Sequence, residues 1–183
     1  TTHGYSLTTS TAALKLGNIL YVANVGDSPG YLLREGEIIE LATMDKGARV
    51  NEITNAVGIS PSFSCHTYEI ELKPNDKVVL VTDGISDNLY EDEIARTVSN
   101  EGTPQEAVYA LENLLREKKN SNTGRHDFFE SFKDDDATAI IRYFVAAEPI
   151  PDKKYYQFGD NYSSKDIIEP LAQELGDAFS RYN

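Results

Sequence analysis

Apolar and polar positions alternate from near the start of the chain in a way that predicts strand after strand. Residues 12–16 and 19–25 read as a hairpin closed by the turn-forming pair Gly17-Asn18. Residues 31–34 and 38–41 repeat the scheme around Glu35-Gly36-Glu37. Residues 42–65 mix Gly, Asn, Ser and Pro without a period and read as loop, with one short helix over 49–57. His66-Thr-Tyr-Glu-Ile-Glu-Leu72 alternates like a half-buried strand, and Lys73-Pro-Asn-Asp76 turns the chain. Lys77-Val-Val-Leu-Val-Thr82 is a continuous apolar run, which predicts a central strand buried on both faces. It stops at Asp83-Gly84, where glycine permits a sharp departure.

Helical spacing takes over next. A short helix is expected over 91–98. A longer one opens at Thr103-Pro104-Gln105-Glu106, which joins a capping box to a proline at the first helical position. Its apolar residues Ala107, Val108, Leu111, Leu114 and Leu115 form one core-facing stripe. Residues 120–133 read as a polar, mobile loop, and 137–144 as a last strand. Past Pro149-Ile-Pro151 the chain turns aromatic and polar, because two prolines cannot continue a sheet. Residues 1–148 are therefore read as the main domain and 149–183 as a partly helical extension.

Composition narrows the function classes. The 183 residues are 40% hydrophobic and 26% charged, a globular balance, and the formal net charge is −13. Such a surface repels nucleic-acid phosphate and anionic lipid, so neither is an expected partner. A phosphorylated substrate would need local positive charge, and a metal is the obvious source. No stretch approaches the ~20 apolar residues of a membrane span. Cys65 is the sole cysteine and fits a cytoplasmic location. The chain opens Thr1-Thr-His-Gly without an initiator Met, so an upstream segment is expected to be missing.

The candidate chemistry lies in acidic residues at strand ends. Asp27 follows Leu20-Tyr-Val-Ala-Asn-Val-Gly26; Asp83 follows the most apolar strand, with Asp87 four residues on; Asp134-Asp135-Asp136 precedes the last strand. Carboxylates on strand ends can converge on one rim, and such a cluster is tolerable when cations neutralise it. Hard oxygen donors suit Mg²⁺ or Mn²⁺ rather than Zn²⁺, and no Cys/His zinc spacing is present. Taken singly, each Asp is an ordinary turn former. An EF-hand centred on Asp83 is excluded because Ile85 stands at its third position. His3, His66 and His126 have no ligand-spaced partners and read as ordinary surface or strand residues.

Taken together the motifs resemble a known family. Val25-Gly26-Asp27-Ser28 resembles the V-G-D-S-R motif of PP2C (PPM-type) metal-dependent protein phosphatases, and Thr82-Asp83-Gly84-Ile85-Ser86-Asp87 their S-D-G-x-x-D motif. Asp135-Asp136-Ala137-Thr138 resembles their D-N-x-[ST] motif. Thr9-Ser10-Thr11-Ala12 and Thr54-Asn55-Ala56-Val57-Gly58 echo G-[ST]-T-A and T-R-[AS]-[LF]-G, in the family's order over residues 9–144.

The resemblance implies an α+β fold, an α-β-β-α sandwich of two antiparallel sheets flanked by helices, here without its N-terminal part. It implies hydrolysis of phosphoserine or phosphothreonine in proteins by a water activated on a binuclear Mn²⁺ or Mg²⁺ centre, with no phosphoenzyme. Asp83 and Asp135 match positions that bind these ions. Asp27 and Asp87 match a third site found in many members, and Gly84, Asp134 and Asp136 lie beside the ligands.

Departures are equally plain. The family's substrate-binding Arg and the D-G-x-G-G motif with the bridging Asp are absent, and Pro29, Thr9 and Asn55 replace family residues. These fit a divergent, bacterial-type member whose N-terminal part is supplied elsewhere, and they keep two other readings in view. One is a non-catalytic regulatory domain that binds a partner through residues 149–183. The other is a haloacid-dehalogenase-like phosphatase, disfavoured because Ile85 replaces its second Asp and residues 11–41 are strands without helices between them.

Overall fold

A computed structural model describes residues 6–42, 44–45, 53–58, 63–125 and 131–144. Seven strands and three helices follow in order: β1 (Ser10–Leu16), β2 (Ile19–Val25), β3 (Gly30–Arg34), β4 (Glu37–Glu40), β5 (His66–Glu71), β6 (Asp76–Val81), α1 (Asp83–Ser86), α2 (Glu91–Asn100), α3 (Pro104–Ser121) and β7 (Ala139–Phe144). They form two antiparallel sheets, β1-β2-β5 and β4-β3-β6-β7. Antiparallel pairing throughout is the sandwich's arrangement, not the alternating strand-helix order of the dehalogenase-like reading.

Period-2 alternation in the two central strands builds both cores. Leu32 of β3 and Val78 and Leu80 of β6 point between the sheets, where they meet Leu20 and Val22 of β2 and Phe144. Their neighbours Tyr31, Leu33, Val79 and Val81 point the other way, onto Ile94, Ala95 and Val98 of α2 and Ala107 and Leu111 of α3. β6 is therefore covered on both faces, which is why it reads as an unbroken apolar run. The described residues thus supply three layers of the sandwich: helices, four-stranded sheet and three-stranded sheet.

Local chemistry sets the element ends. Thr103 Oγ1 accepts from the Glu106 N–H at 3.2 Å, the first half of the expected capping box of α3, while Glu106 Oε2 accepts from the Thr103 hydroxyl at 2.8 Å rather than from its backbone N–H. Lys77 Nζ donates to the carbonyls of Val98, Ser99 and Glu101 at 3.0–3.1 Å, satisfying acceptors that the end of α2 leaves open.

Several expectations need correction. The helix over 49–57 is not found in its described part: Val57 instead bridges Thr8, its N–H donating to Thr8 O at 2.9 Å, and the Asn55 side chain is engaged with Asp45 and the Ser64 backbone. Side-chain and bridge bonds draw the backbone out of helix there. The chain after β6 does not simply depart but enters the short helix α1, with Thr82 as its N-cap residue. The loop expected over 120–133 begins only after α3 ends at Ser121, and its described ends are anchored by the buried Arg125 and by Lys133. His3, His126, residues 49–52 and the extension over 149–183 lie outside the described residues. No helix among the described residues is long and apolar enough to cross a membrane.

Candidate metal centre

Backbone zippering brings two of the motifs together. The Thr82 N–H donates to Thr138 O at 3.1 Å, and the Thr138 N–H donates to Thr82 Oγ1 at 2.9 Å. These bonds place the start of α1 against the segment that leads into β7. Gly84 has a packing reason to be glycine: a Cβ there would collide with the carbonyl oxygen of Asp136.

Around this junction three carboxylates from two separate stretches of chain meet one cation. Lys133 Nζ lies 2.8 Å from Asp87 Oδ2, 2.9 Å from Asp83 Oδ2 and 3.3 Å from Asp135 Oδ2. Their exposure is graded: Asp87 is 4% exposed, Asp83 32% and Asp135 43%. The group therefore runs outward from the buried Asp87 to the more exposed Asp83 and Asp135. Burial lowers the Lys133 ammonium pKa, but hydrogen bonds to Asp87 and Asp83 outweigh burial and leave it above the ordinary lysine range.

The remaining acidic candidates are placed differently. Asp134 turns to Lys119 of α3, with Nζ and Oδ1 2.6 Å apart in an exposed pair. Asp136 contributes its backbone, the N–H donating to Asp135 Oδ1 at 2.9 Å, while its side chain is exposed. Asp27 is 7% exposed and sits on the same rim, since the Val81 N–H at the end of β6 donates to Pro29 O.

Asp27 is carried by a tightly built loop. Gly26 has φ +100°, and a Cβ there would strike the side chain of Thr9, so only glycine fits. Thr9 Oγ1 bonds Ser28 Oγ at 2.9 Å, and Asn24 Nδ2 donates to Ser28 O at 3.1 Å. The weak Thr9-Ser10-Thr11-Ala12 echo thus gains a physical role as the support of this loop.

Asp45 and Lys133 escaped the sequence reading. Asp45 Oδ2 accepts from the Gly26 N–H at 3.0 Å and from Asn55 Nδ2 at 2.8 Å, and Oδ1 lies 2.9 Å from His66 Nε2. Burial pushes its carboxyl up, yet hydrogen bonds from Asn55, Gly26 and His66 hold it below the usual carboxylate range. It ties the Gly26-Asp27 loop to the 54–57 echo and to β5. A lone Asp or Lys in an aperiodic stretch carries no spacing signal. Only the Thr-Asn echo at 54–55 hinted at a contact there.

Whether these residues suit a divalent cation follows from their donors. Asp83, Asp87 and Asp135 offer only carboxylate oxygens and converge on a positive charge, which matches Mg²⁺ or Mn²⁺. Among the described residues no group of three or more His, Cys, Asp or Glu is by itself close enough to hold a metal ion. The donor set fits in kind and direction, and it is partial.

Comparison with known proteins agrees with the fold. The family described as Stage II sporulation protein E (SpoIIE) matches residues 7–143. A curated relative, the probable protein phosphatase 2C BIPP2C1 of Oryza sativa subsp. japonica, is 34% identical over 83 residues, covering 45% of this chain and 15% of the relative. PppA, a regulatory component of the T6SS in Pseudomonas aeruginosa, has a solved structure matching at TM-score 0.60 and 20% identity, over 74% of this chain and 57% of PppA. The catalytic domain of the serine/threonine phosphatase PstP, solved in complex with two manganese ions, matches at TM-score 0.57 and 24% identity, over 75% of this chain and 59% of that one. The chain thus spans under a fifth of the curated rice relative and less than two thirds of these solved chains. With three quarters of its length inside one family match and its sheets superposing on solved phosphatase domains, the chain belongs to the SpoIIE family and carries part of a PP2C-type phosphatase domain.

Proposed function

We propose that this chain supplies the Asp83–Asp135 half of a metal-dependent protein phosphatase site acting on phosphoserine or phosphothreonine in a protein substrate. The observation that carries the reading is the convergence of Asp83, Asp87 and Asp135, from stretches some fifty residues apart, on a single positive charge. Asp83 and Asp135 are the proposed ligands of Mn²⁺ or Mg²⁺. Asp87, which shares Lys133 with them, and the buried Asp27 are proposed to serve a further, weaker ion. When bound, such ions supply an acidified water and neutralise the phosphoryl oxygens. The chain's own contribution is positional: α1, entered directly from β6, carries Asp83 and Asp87, the segment leading into β7 carries Asp135, and the bonds between Thr82 and Thr138 tie the two together.

A net charge of −13 makes this role for cations more pressing, because the overall field opposes a substrate phosphate. The test is Mn²⁺-dependent hydrolysis of a phosphoserine peptide by the purified protein, with Asp83→Asn alongside. The expected result is turnover that needs Mn²⁺ and disappears in the variant; activity surviving in Asp83→Asn removes Asp83 from the mechanism. One observation favours a second reading, a non-catalytic domain: an ammonium already sits among the carboxylates. A protein that folds but hydrolyses nothing with Mn²⁺ or Mg²⁺ would support that alternative.

A further inference from the structure

Lys133 has no part in the chemistry just proposed, yet its position is constructed with care. Its backbone N–H donates to Asn88 Oδ1 at 2.8 Å, and its carbonyl accepts from Asn88 Nδ2 at 2.9 Å. Asn88 is completely buried, and its Nδ2 also donates to Gly84 O at 3.0 Å, one residue beyond Asp83. A buried amide that satisfies a loop backbone twice acts as a fixed rung, because leaving any of these groups unpaired would carry a desolvation penalty. Residue 133 is therefore locked to the same turn of helix that carries Asp83 and Asp87. From that fixed origin the lysine side chain, 18% exposed, donates hydrogen bonds to Asp83 and Asp87 and pairs with Asp135.

A magnesium or manganese ion approaches carboxylate oxygens to about 2.0–2.2 Å, closer than an ammonium does. A divalent ion on Asp83 and Asp135 would share their oxygens with Lys133 and stand within a few ångströms of its charge. At that distance like charges repel strongly even at the dielectric of a protein surface. The lysine and the metal are thus alternative occupants of these two carboxylates. Asp87, the most buried of the three and the one nearest Nζ, gives the lysine a place to remain when the others are taken.

We propose that Lys133 is a built-in counter-cation of this site: it neutralises Asp83 and Asp135 in the metal-free protein and competes directly with divalent cations for them. The inference rests on the reading that Asp83 and Asp135 are metal ligands. Lys133 is then a regulatory residue rather than a catalytic one. It keeps the acidic rim intact without metal and sets the metal concentration at which the rim loads.

The test is Mn²⁺ titration calorimetry on the whole chain, wild type against Lys133→Met, Lys133→Gln and Lys133→Arg, with thermal unfolding in EDTA and in Mn²⁺. Met and Gln are expected to tighten Mn²⁺ binding about tenfold or more, as removal of one nearby like charge should. They should also lower the melting temperature in EDTA and recover it in Mn²⁺, while Arg behaves like wild type. Unchanged or weaker binding in the Met and Gln variants, with wild type binding Mn²⁺, overturns the competition and leaves the metal-ligand reading standing. No binding by any of the four proteins at millimolar Mn²⁺ overturns both. Should Met and Gln fold only when Mn²⁺ is added, the counter-cation role is upheld; should Mn²⁺ fail to rescue them, it is refuted.

Discussion

Strand β6 has a buried or half-buried carboxylate site at each end, and the two are built on opposite principles. At its start Asp76, 1% exposed, takes both arms of Arg34, with Nε to Oδ1 at 2.9 Å and Nη2 to Oδ2 at 2.6 Å, and the Lys73 N–H completes the set at 2.7 Å. One anion meets one planar cation and every acceptor is matched. At its end Asp83, Asp87 and Asp135 share the single ammonium of Lys133. Among the described residues the negative charge there exceeds the positive, and the rim opens to solvent. A fold gains nothing in stability from such surplus charge, since like carboxylates repel. The matched end reads as structure and the other as the proposed site of divalent cations, so charge balance separates the two roles where burial alone would not.

The largest effect should come at the unmatched end. Asp83→Asn is expected to reduce Mn²⁺-dependent phosphopeptide turnover by about 10³-fold or more, a loss of about 4 kcal/mol of transition-state stabilisation. The same protein should still unfold cooperatively in a thermal melt. A variant that instead melts far lower with its activity retained would assign Asp83 to the scaffold and erase the contrast.

At the matched end the signs reverse. Asp76→Ala strands a guanidinium that is mostly buried and removes the acceptor of the Lys73 N–H, which should cost about 3–5 kcal/mol in urea unfolding. Mn²⁺ affinity should be unchanged once the variant is folded, because Asp76 lies at the far end of the strand. Altered metal affinity there would show that the two ends of β6 communicate.

How far these roles were legible beforehand follows the physics of each signal. β6 announced itself by its apolar run, because a strand covered on both faces must be apolar throughout. Asp83 and Asp135 were visible as acids next to predicted strands, and the Thr103 N-cap of α3 was written in four consecutive residues. Lys133 and Asp45 were not visible. Asp83 and Asp87 lie 50 and 46 residues from Lys133, and the side chains that hold Asp45 lie 10 and 21 residues from it, where no period constrains the spacing. Arg34–Asp76 was hidden for the same reason, being a contact across 42 residues. Local pattern encodes elements, while charge pairing across the sandwich is decided by topology.

Asp45 tests a third kind of arrangement, a carboxylate matched by neutral donors and one histidine. Asp45→Asn should cost about 1–2 kcal/mol, since it turns an acceptor that receives several hydrogen bonds into a weaker, partly mismatched one. The wild-type contribution carries a pH signature of definite sign. Its folded-state pKa is depressed below the ordinary 3.8, so the stabilisation is fully present above that value and is lost as pH falls through the lower folded value. Chemical denaturation between pH 5 and pH 3 should therefore show a steeper decline for wild type than for Asp45→Asn. Parallel curves would mean that the carboxylate charge contributes nothing there.

The smallest effect sharpens the comparison most cheaply. Asp134 neighbours Asp135 in sequence, yet it pairs with Lys119 on the surface of α3, with the two side chains 76% and 56% exposed. Exposed pairs of this kind are worth about 0–1 kcal/mol, because solvent screens them and ordering two long side chains offsets the attraction. Asp134→Asn should accordingly leave both the melting temperature and the Mn²⁺ affinity close to wild type. If surplus charge alone drew cations to this rim, removing any acid from the run 134–136 would weaken Mn²⁺ binding to a similar degree. A clear loss in Asp134→Asn would therefore favour a diffuse acidic surface, whereas a null result beside a large loss in Asp135→Asn locates the effect in the carboxylates that share Lys133.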